Sequence, residues 1–497
     1  MTVGPPDRLP TGFSVRIAPT VRVRDDGRTL IGGDRAAVLH LKPPAAGLVA
    51  EDGTVTVHDA ATATLCRLLL DRGFGVPWWP GAAGGDDDVD DVTVVVPVRD
   101  RPRLLARLLS HLPSDTPVIV VDDGSRDRTA CAREAARAGA TLLTHLEGRG
   151  PAAARNTGLA AVTTGLVAFV DSDVVPRTGW LAGLRRHFDD PAVALVAPRV
   201  LGLTSERGDG WIARYEAARS SLDLGPMPGG VRPHARVSYV PAACMMARTT
   251  ALGEGFDADL QVAEDVDLVW RLVGSGWRVR YAPEQVVRHE HRTAMWDWLG
   301  RKAYYGTGAS LLAERHGTAV APMVLTSWTA AFSIALLVQR RWSVPLAAAL
   351  YGILVGRIRG RLGHSGNPLR TAGLLAGLGV HAALRQTAAA LVRHHWPVAV
   401  VAALRWPGAR RALVAAAVTD ALLDFRATDP DLDPLRYSLA RRLDDLAYGA
   451  GLWAGAVRSR SIAALVPTVR GLGAARRVDD TAGLCAVRPA RDNARDL

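Results

Sequence analysis

Acidic side chains in this sequence follow short β-branched runs, at positions where proteins often place residues that do chemistry. Three such runs end in aspartate, and the acidic residues are Asp100, Asp122, Asp123, Asp171 and Asp173. Ligands of a parallel sheet bind beyond the carboxyl ends of its strands. The sequence therefore predicts a binding or catalytic site at these residues.

The D-S-D motif at 171–173 has the spacing of two oxygen ligands for a hard divalent cation. Carboxylate oxygens are ligands that Mg²⁺ or Mn²⁺ accepts, and such a cation can neutralise a departing diphosphate. Alone the motif is a weak signal, because a solvated acidic turn has the same composition. The D-D-G-S motif at 122–125 is equally ambiguous, since it is common in turns.

A second acidic pair, Glu264 and Asp265, begins an apolar helical pattern that runs to Leu272. The helix dipole favours acidic residues at this end, so helix capping is one interpretation. A carboxylate here can instead take a proton from an attacking hydroxyl. The residues by themselves leave both interpretations open.

The elements that must position these residues read as strand, helix, strand, helix, strand. The strands are unbroken β-branched runs, which indicates burial on both faces and a parallel sheet. We therefore predict an α/β domain over residues 91–310. The predicted strands are Thr93–Val98, Val118–Val121, Val167–Val170, Val193–Pro198, Val237–Pro241 and Val279–Tyr281, with a helix at Glu264–Leu272.

Residues 1–90 read as a small α+β module followed by a linker. Short alternating segments and an amphipathic helix over Ala60–Leu70 form the module. The stretch Pro80–Asp91 is rich in Gly and Asp and cannot bury apolar surface. The module could hold an acceptor or peptide, or serve only as a packing domain.

Residues 311–497 form a hydrophobic helical region. Gly317–Gln339 contains no charged residue, has about the length needed to cross a bilayer, and is followed by Arg340 and Arg341. The later apolar segments are shorter and suit helices that lie in the membrane interface. A wholly soluble helical bundle is the alternative.

The formal net charge of the chain is +11, and nearly all of the positive charge is arginine. The basic residues become more frequent among the apolar runs beyond Arg340, and this pattern fits a membrane surface better than a nucleic-acid groove. The 4 cysteines form no C-x-x-C pair, which favours a reduced cytosolic environment without structural zinc. The amino end lacks the apolar core of a signal peptide. We therefore expect a protein of the cytoplasmic membrane, with its catalytic domain facing the cytoplasm and no nucleic-acid partner.

The order and spacing of the motifs resemble those of the family 2 glycosyltransferases, which have the GT-A fold. The resemblance extends from Val92 to about His291. It implies a nucleotide-sugar-binding sheet, a UDP-sugar donor and a divalent metal, Mg²⁺ or Mn²⁺. The matching segments are Val95–Asp100, Val120–Ser125, Ala154–Leu159, Asp171–Asp173, Gly255–Asp257 and Glu264–Asp267.

This resemblance also implies roles for single residues. The metal would be held by Asp171 and Asp173, with His289 completing the site and His291 as the alternative. Asp265 would be the catalytic base. The residues implied to bind the nucleotide sugar are Pro97, Arg99, Asp122, Asp123, Arg155 and Asp171.

A closer resemblance, to the mycofactocin-system glycosyltransferases of actinobacteria, covers almost the whole chain. It is carried outside the central motifs by Arg214–Ala217, Ser220–Gly225 and Arg442–Trp453. It implies transfer of glucose from UDP-glucose to a peptide-derived redox cofactor or its precursor, giving a β-1,4-linked oligoglucoside. No second carboxylate is obviously placed as a covalent nucleophile, which favours inversion at the sugar.

Two other functions compete with this hypothesis. A membrane glycosyltransferase for a cell-wall, lipid-linked or capsule glycan has the same fold, and its processive members usually carry a Q-x-x-R-W motif after the E-D helix. The sequence lacks that motif, although Trp298 and Arg301 occur nearby. A non-catalytic scaffold would not need the full set of carboxylates.

Overall fold

The computed structural model describes residues 5–33, 37–80, 89–203, 210–291, 293–360, 362 and 367–471. Most of the predicted linker Pro80–Asp91 lies outside this part of the chain, as does Cys485. The chain contains, in order, an amino-terminal module, a central sheet flanked by helices, and a carboxy-terminal helical region.

The amino-terminal module contains two small antiparallel sheets and one longer helix. Asp59 caps that helix by accepting a hydrogen bond of 2.8 Å from the backbone N–H of Thr62. Leu69 and Phe74 are buried in its core, and the predicted α+β module is confirmed. Its elements are β1 (Ser14–Ile17), β2 (Arg22–Arg24), β3 (Thr29–Gly32), β4 (Ala37–His40), α1 (Pro43–Ala46), β5 (Thr54–Thr56), α2 (Ala60–Asp71) and β6 (Gly75–Trp78).

Buried ion pairs dock this module on the rest of the protein. Arg67 of α2 donates from both terminal nitrogens to Asp190, each at 2.8 Å, and Arg280 donates to the same carboxylate. Burial alone would raise the pKa of Asp190, but the hydrogen bond from Arg67 and the charge of Arg280 outweigh burial and lower it. The ionised carboxylate therefore holds together two arginines that are distant in the sequence.

A nine-stranded sheet with helices on both faces forms the centre of the protein. Its strands are β7 (Val92–Val98), β8 (Val118–Asp123), β9 (Thr141–His145), β10 (Leu166–Val170), β11 (Val174–Pro176), β12 (Val193–Gly202), β13 (Gly229–Gly230), β14 (Cys244–Arg248) and β15 (Arg278–His289). The helices are α3 (Pro102–Leu109), α4 (Arg128–Arg137), α5 (Pro151–Ala160), α6 (Trp180–Arg185), α7 (Trp211–Arg219), α8 (Thr249–Leu252) and α9 (Glu264–Gly274).

The strand order is β11-β15-β12-β14-β10-β7-β8-β9, with β13 paired to β15. Strands β7, β8, β9 and β10 run parallel, whereas β14 runs antiparallel between β10 and β12. The α/β prediction is confirmed, and the sheet is mixed rather than wholly parallel.

Alternate residues of β7 enter two separate cores. Val94 and Val96 pack with Leu105 of α3 on one face, and Val95 packs with Ala154 of α5 on the other. Burial on both faces explains why this strand reads as an unbroken β-branched run in the sequence.

The segment Val237–Pro241, predicted as a strand, is a loop, and the antiparallel strand is β14 a few residues later. Pro241 has no N–H to donate to a sheet ladder. The loop is instead held by α9, because the indole N–H of Trp270 donates to Ser238 O at 2.7 Å.

The carboxy-terminal region is helical, with one small parallel sheet. Its elements are α10 (Met295–His316), β16 (Val324–Thr326), α11 (Ser327–Leu337), α12 (Ser343–Arg359), α13 (Pro368–Ala389), α14 (Trp396–Arg405), α15 (Pro407–Thr428), α16 (Pro434–Ser459) and β17 (Thr468–Arg470). Helices α10 and α16 are in backbone contact, since a Cβ added at Gly306 would lie 2.1 Å from the carbonyl oxygen of Tyr448.

The prediction of one spanning helix over Gly317–Gln339 is wrong. Gly317, with a φ of 54°, ends α10, and the segment then divides into a 3₁₀ turn, β16 and α11. Helix α11 has 11 residues and rises only about 16 Å, short of a hydrocarbon layer of about 30 Å. Within the described ranges, one helix is long and apolar enough to cross a membrane, Pro368–His394, with a mean hydropathy of 1.2.

Candidate active site

A large cavity lies at the carboxyl ends of the central strands, and its volume is about 1720 Å³. The residues that follow β7 and β10 form one wall, and the start of α9 forms another. Helices α10, α13 and α16 supply further lining residues. The D-S-D motif and the E-D pair therefore face the same space.

Arg155 of α5 joins the two acidic motifs. Its guanidinium donates to Asp171 at 2.7 Å and to Glu264 at 3.0 Å, and only 3% of the residue is exposed. Burial would lower the pKa of Arg155, but the charges of Asp171 and Glu264 outweigh burial and raise it. This permanent cation fixes the distance between motifs that are far apart in the sequence.

Asp265 differs from the other carboxylates that line the cavity. Within the described part of the chain, it alone among them has no cationic or imidazole partner. The paired carboxylates are Asp123 with His145, Asp171 and Glu264 with Arg155, Asp173 with Arg101, Glu216 with Lys302, and Glu290 with Arg107.

Backbone groups orient the Asp265 carboxyl. One oxygen accepts the N–H of Ala242 at 3.1 Å, and the other accepts the N–H of Val266 at 2.8 Å. Burial, and after it the negative charge of Glu264, raises the pKa of Asp265 to about 7. A carboxylate that titrates near neutral pH is matched to accept a proton from a hydroxyl.

The E-D pair follows a residue in an uncommon backbone conformation. Ala263 has a φ of 65°, and its methyl group faces Gly308 of α10, where an added Cβ would lie 3.1 Å away. Left-handed conformations of residues other than glycine are energetically costly and cluster at functional sites.

Asp173 and His289 form the other candidate centre. The His289 Nε2 atom lies 3.3 Å from a carboxylate oxygen of Asp173, which also pairs with Arg101. Burial would raise the pKa of Asp173, but the hydrogen bond and charge of His289, with the charge of Arg101, hold it well below its usual range. Burial would lower the pKa of His289, but the hydrogen bond and charge of Asp173 outweigh burial and raise it.

The described residues contain no group of three or more His, Cys, Asp or Glu side chains that could hold a metal ion. Asp171 is paired with Arg155 at 2.7 Å. The Asp173 Oδ1 atom is buried, and it faces the His289 Nε2 atom 3.3 Å away. Asp173 and His289 thus fit two ligands of a divalent cation that takes its others from a diphosphate. His289, rather than His291, contacts Asp173.

Pro97, Arg99 and Asp123, which the resemblance implies bind the nucleotide sugar, line the cavity. The Asp123 carboxylate is already engaged. It contacts His145 at 2.7 Å and accepts the backbone N–H groups of Arg149 and Gly150 at 2.8 Å each. Asp123 therefore fixes the loop that leads into α5.

Asp122 and Asp100 have structural contacts outside the described lining of the cavity. Asp122 accepts the N–H of Ser125 at 2.9 Å and so closes a turn. Asp100, with a φ of 55°, accepts the N–H of Arg126 at 2.8 Å. Adjacent residues of a strand point to opposite faces, which separates Asp122 from Asp123.

Sequence reasoning missed the residues that α10 contributes. Arg301 lies over the rings of Tyr304 and Tyr305, at 5.6 and 5.7 Å from their centroids, and all three line the cavity. Their spacing of three and four residues is that of one helix face, so the sequence did contain a signal.

Lys302 lies on the same helix, but no sequence pattern marks it as a site residue. It is 3% exposed, and its ammonium lies 2.8 Å from Glu216 and 3.3 Å from Asp444. Arg393 also pairs with Asp444, at 3.1 Å. Because these partners come from separate elements, only the tertiary fold brings them together.

Comparisons with known proteins place the chain among the glycosyltransferases. The family model described as Glycosyl transferase family 2 matches residues 93–251. The chain is 44% identical over 481 residues to the pre-mycofactocin glycosyltransferase of Mycobacterium tuberculosis. The aligned residues cover 93% of this chain and 99% of that protein. The succinoglycan biosynthesis protein ExoU of Rhizobium meliloti is 27% identical over 202 residues, or 38% of this chain and 59% of that protein.

Among solved structures, a mannosyltransferase from Pyrobaculum calidifontis in complex with GDP-Man and Mn²⁺ is 22% identical, with a TM-score of 0.37. The match covers 63% of this chain and 90% of that one. The family match spans β7 to α8, which includes the D-S-D motif, and the predicted GT-A type of sheet is confirmed.

Proposed function

The chain belongs to the pre-mycofactocin glycosyltransferases of glycosyl transferase family 2, and from this premise we propose that it transfers glucose from UDP-glucose to a mycofactocin precursor. The acceptor is a peptide-derived small molecule. Transfer proceeds with inversion, and repeated transfer builds a β-1,4-linked oligoglucoside.

The observation that carries this proposal is the environment of Asp265. An acceptor hydroxyl oxygen forms a bond to the anomeric carbon while the bond from that carbon to the diphosphate oxygen breaks. The hydroxyl proton passes to Asp265, and UDP leaves with the electron pair of the broken bond. With a pKa raised to about 7, about half of Asp265 is ionised at neutral pH, and the carboxylate is basic enough to hold the proton.

Inversion is supported by the partners of the other carboxylates. A retaining reaction through a covalent intermediate needs a second carboxylate free to attack the sugar. In the described part of the cavity, Asp171 and Glu264 are bound to Arg155, and Asp173 is bound to Arg101 and His289. A single displacement with Asp265 as the base fits this arrangement.

A divalent cation fits beside Asp173 and His289, with Asp171 nearby in the motif. Such a cation, Mg²⁺ or Mn²⁺, supplies positive charge to the departing diphosphate when it is bound. The protein itself keeps Asp173 ionised through Arg101 and His289. Pro97, Arg99 and Asp123 line the cavity, and we assign them to the base of the donor.

We also place the enzyme on the cytoplasmic membrane, with its catalytic domain facing the cytoplasm. The support is the apolar exposed surface of the carboxy-terminal helices, which includes Val344, Leu404 and Trp406. Arginines flank these helices, for example Arg340 and Arg341, and suit an anionic lipid surface.

The test is transfer by the purified full-length enzyme from a panel of nucleotide sugars to a peptide-derived acceptor. Mass spectrometry should show addition of hexose from UDP-glucose. The anomeric proton coupling in NMR spectra should show a β-linked product from the α-linked donor. Transfer only to lipid-linked or polysaccharide acceptors would support the wall or capsule alternative instead.

Asp265→Asn should reduce transfer by about two to four orders of magnitude, because the amide has no basic lone pair to accept the proton. Binding of UDP-glucose should change little. Glu314→Gln, an exposed carboxylate on α10, is the matched control and should transfer normally. Retention of configuration, or an Asp265→Asn enzyme as fast as the parent, contradicts the proposal.

A further inference from the structure

One part of the cavity lining, called here the apolar branch, consists of apolar residues on two neighbouring elements. Its residues come from β16 and the segment before it, Met323 and Val324, and from one face of α13, Leu375, Leu378 and Ala382. We propose that this apolar branch holds the uncharged, apolar body of the acceptor. The inference rests on the proposed function and adds an acceptor site to it.

The size of the cavity supports a second occupant. Its volume of about 1720 Å³ exceeds the roughly 300–1,000 Å³ of most small-molecule sites. Lining residues on α10 run from Trp298 to Leu312, which spans about 21 Å at the helical rise per residue. A cavity of this volume can hold an acceptor beside a nucleotide sugar.

The chemistry of the branch determines what can bind there. The five branch residues have no charged or hydrogen-bonding side chain. The polar neighbour Gln386 of α13 is already engaged, because its side-chain oxygen accepts the N–H of Val324 at 2.9 Å. This hydrogen bond joins β16 to α13. Against the five apolar side chains, an apolar ring or side chain fits better than the hydroxyl-rich end of a glycan.

Arg470 of β17 also lines the cavity and is paired through its strand with β16. It brings a positive charge to this end, so a cationic acceptor is disfavoured. The class of acceptor that fits is therefore a neutral or anionic molecule with an apolar body and a hydroxyl that reaches Asp265.

The test substitutes Leu378 in the full-length enzyme and measures steady-state transfer. Leu378→Asn should raise the acceptor KM by about ten- to a hundredfold, the loss expected when a leucine no longer buries its apolar surface on the ligand. The donor KM, kcat and the slow hydrolysis of UDP-glucose without acceptor should stay close to wild type. Leu378→Met, which keeps an apolar side chain, should restore most of the acceptor affinity.

Leu369→Asn is the matched control, since Leu369 lies on the same helix, is 57% exposed and is outside the described lining. It should leave the acceptor KM unchanged. An acceptor KM unaffected by Leu378→Asn, or raised equally by Leu369→Asn, overturns the branch and leaves the proposed function standing. Absence of transfer to the peptide-derived acceptor by the wild-type enzyme overturns the proposed function, and the acceptor assignment with it.

Discussion

At the scale of single residues, neighbouring carboxylates in the cavity differ because their partners differ. Glu264 accepts a hydrogen bond from Arg155 at 3.0 Å, whereas the donors to Asp265 among the described residues are backbone N–H groups. Burial raises the pKa of Asp265, and the negative charge of Glu264 raises it further. The charge of one member of the pair therefore tunes the basicity of the other.

This tuning predicts the pH dependence of transfer. Only deprotonated Asp265 can take a proton, so kcat/KM should fall about tenfold per pH unit below the pKa of Asp265, about 7, and level off above it. Glu264→Gln removes a negative charge that raises this pKa, so the acid limb should move to lower pH. A pH profile of each variant checks this, with Glu314→Gln as the control whose limb should stay in place. An unmoved limb in Glu264→Gln contradicts the coupling.

His289 predicts a second pH effect, on the metal. We expect chelation to abolish transfer and Mn²⁺ or Mg²⁺ to restore it. Asp173 raises the pKa of His289, and a protonated imidazole cannot bind a cation. The Mn²⁺ concentration for half activation should therefore rise by up to about tenfold per pH unit once the pH falls below that pKa.

His289→Gln should raise the Mn²⁺ requirement at every pH and remove most of this dependence, which titrations at several pH values would show. Full transfer in excess chelator would exclude the metal from the reaction.

The sequence predicted the acidic motifs of the site but not the partners that divide their roles. Arg155 was expected beside the nucleotide, yet its contact with Glu264 joins residues on α5 and α9. Asp122 and Asp123 are identical in type and adjacent, so only the facing of β8 decides that Asp123 reaches the cavity. Such assignments depend on register and packing, which one sequence does not reveal.

At the scale of elements, the position of α10 depends on its backbone contact with α16. A Cβ at Gly451 would lie 1.8 Å from the carbonyl oxygen of Ala303. The same helix presents Arg301 and Tyr305 to the cavity. Small residues at this crossing therefore set where one wall of the site stands.

A matched pair of glycines on α10 tests this contact. Gly306→Ala should lower the free energy of unfolding by about 1–3 kcal/mol or more, because the added methyl meets the backbone of α16, which cannot yield cheaply. Gly300→Ala adds the same methyl where nothing lies within 4 Å, and its better helix propensity should leave stability unchanged or slightly higher. Urea denaturation of both variants measures the difference. Equal effects would show that the crossing is not tightly packed.

Elements were predicted well where a local pattern determines them and wrongly where a breaker interrupts it. The β-branched runs of β7, β8 and β10 are strands because both their faces are buried. Hydropathy alone joined Gly317–Gln339 into one span, although Gly317 ends a helix and Pro322 lacks an N–H for the next one. Composition gives the apolar character of such a segment but not where its helix begins.

At the scale of the whole molecule, the carboxy-terminal region packs on the central domain through buried polar contacts. Asp444 of α16 contacts Lys302 of α10 and Arg393, and the hydroxyl of Tyr215 on α7 donates to the same carboxylate at 3.1 Å. Removing α16 would leave Lys302 with one carboxylate partner fewer in a buried site. The sequence suggested separate parts, because contacts between distant segments leave no local pattern.

The exposed side of the same region predicts membrane association. On α14, Val401 and Leu404 are 68% and 82% exposed and lie three residues apart on one helix face. The full-length protein should float with vesicles that contain anionic lipid, and high salt should weaken this binding because the flanking arginines are then screened.

A Val401→Glu, Leu404→Glu double variant should lower the bound fraction about tenfold or more, since each substitution puts a charge where an apolar side chain would enter the lipid. Leu146→Glu is the control, because Leu146 is 79% exposed but lies in the central domain. If the wild-type chain stays in solution, or if both changes act alike, the carboxy-terminal helices form a soluble bundle, and the apolar face of α14 needs another partner.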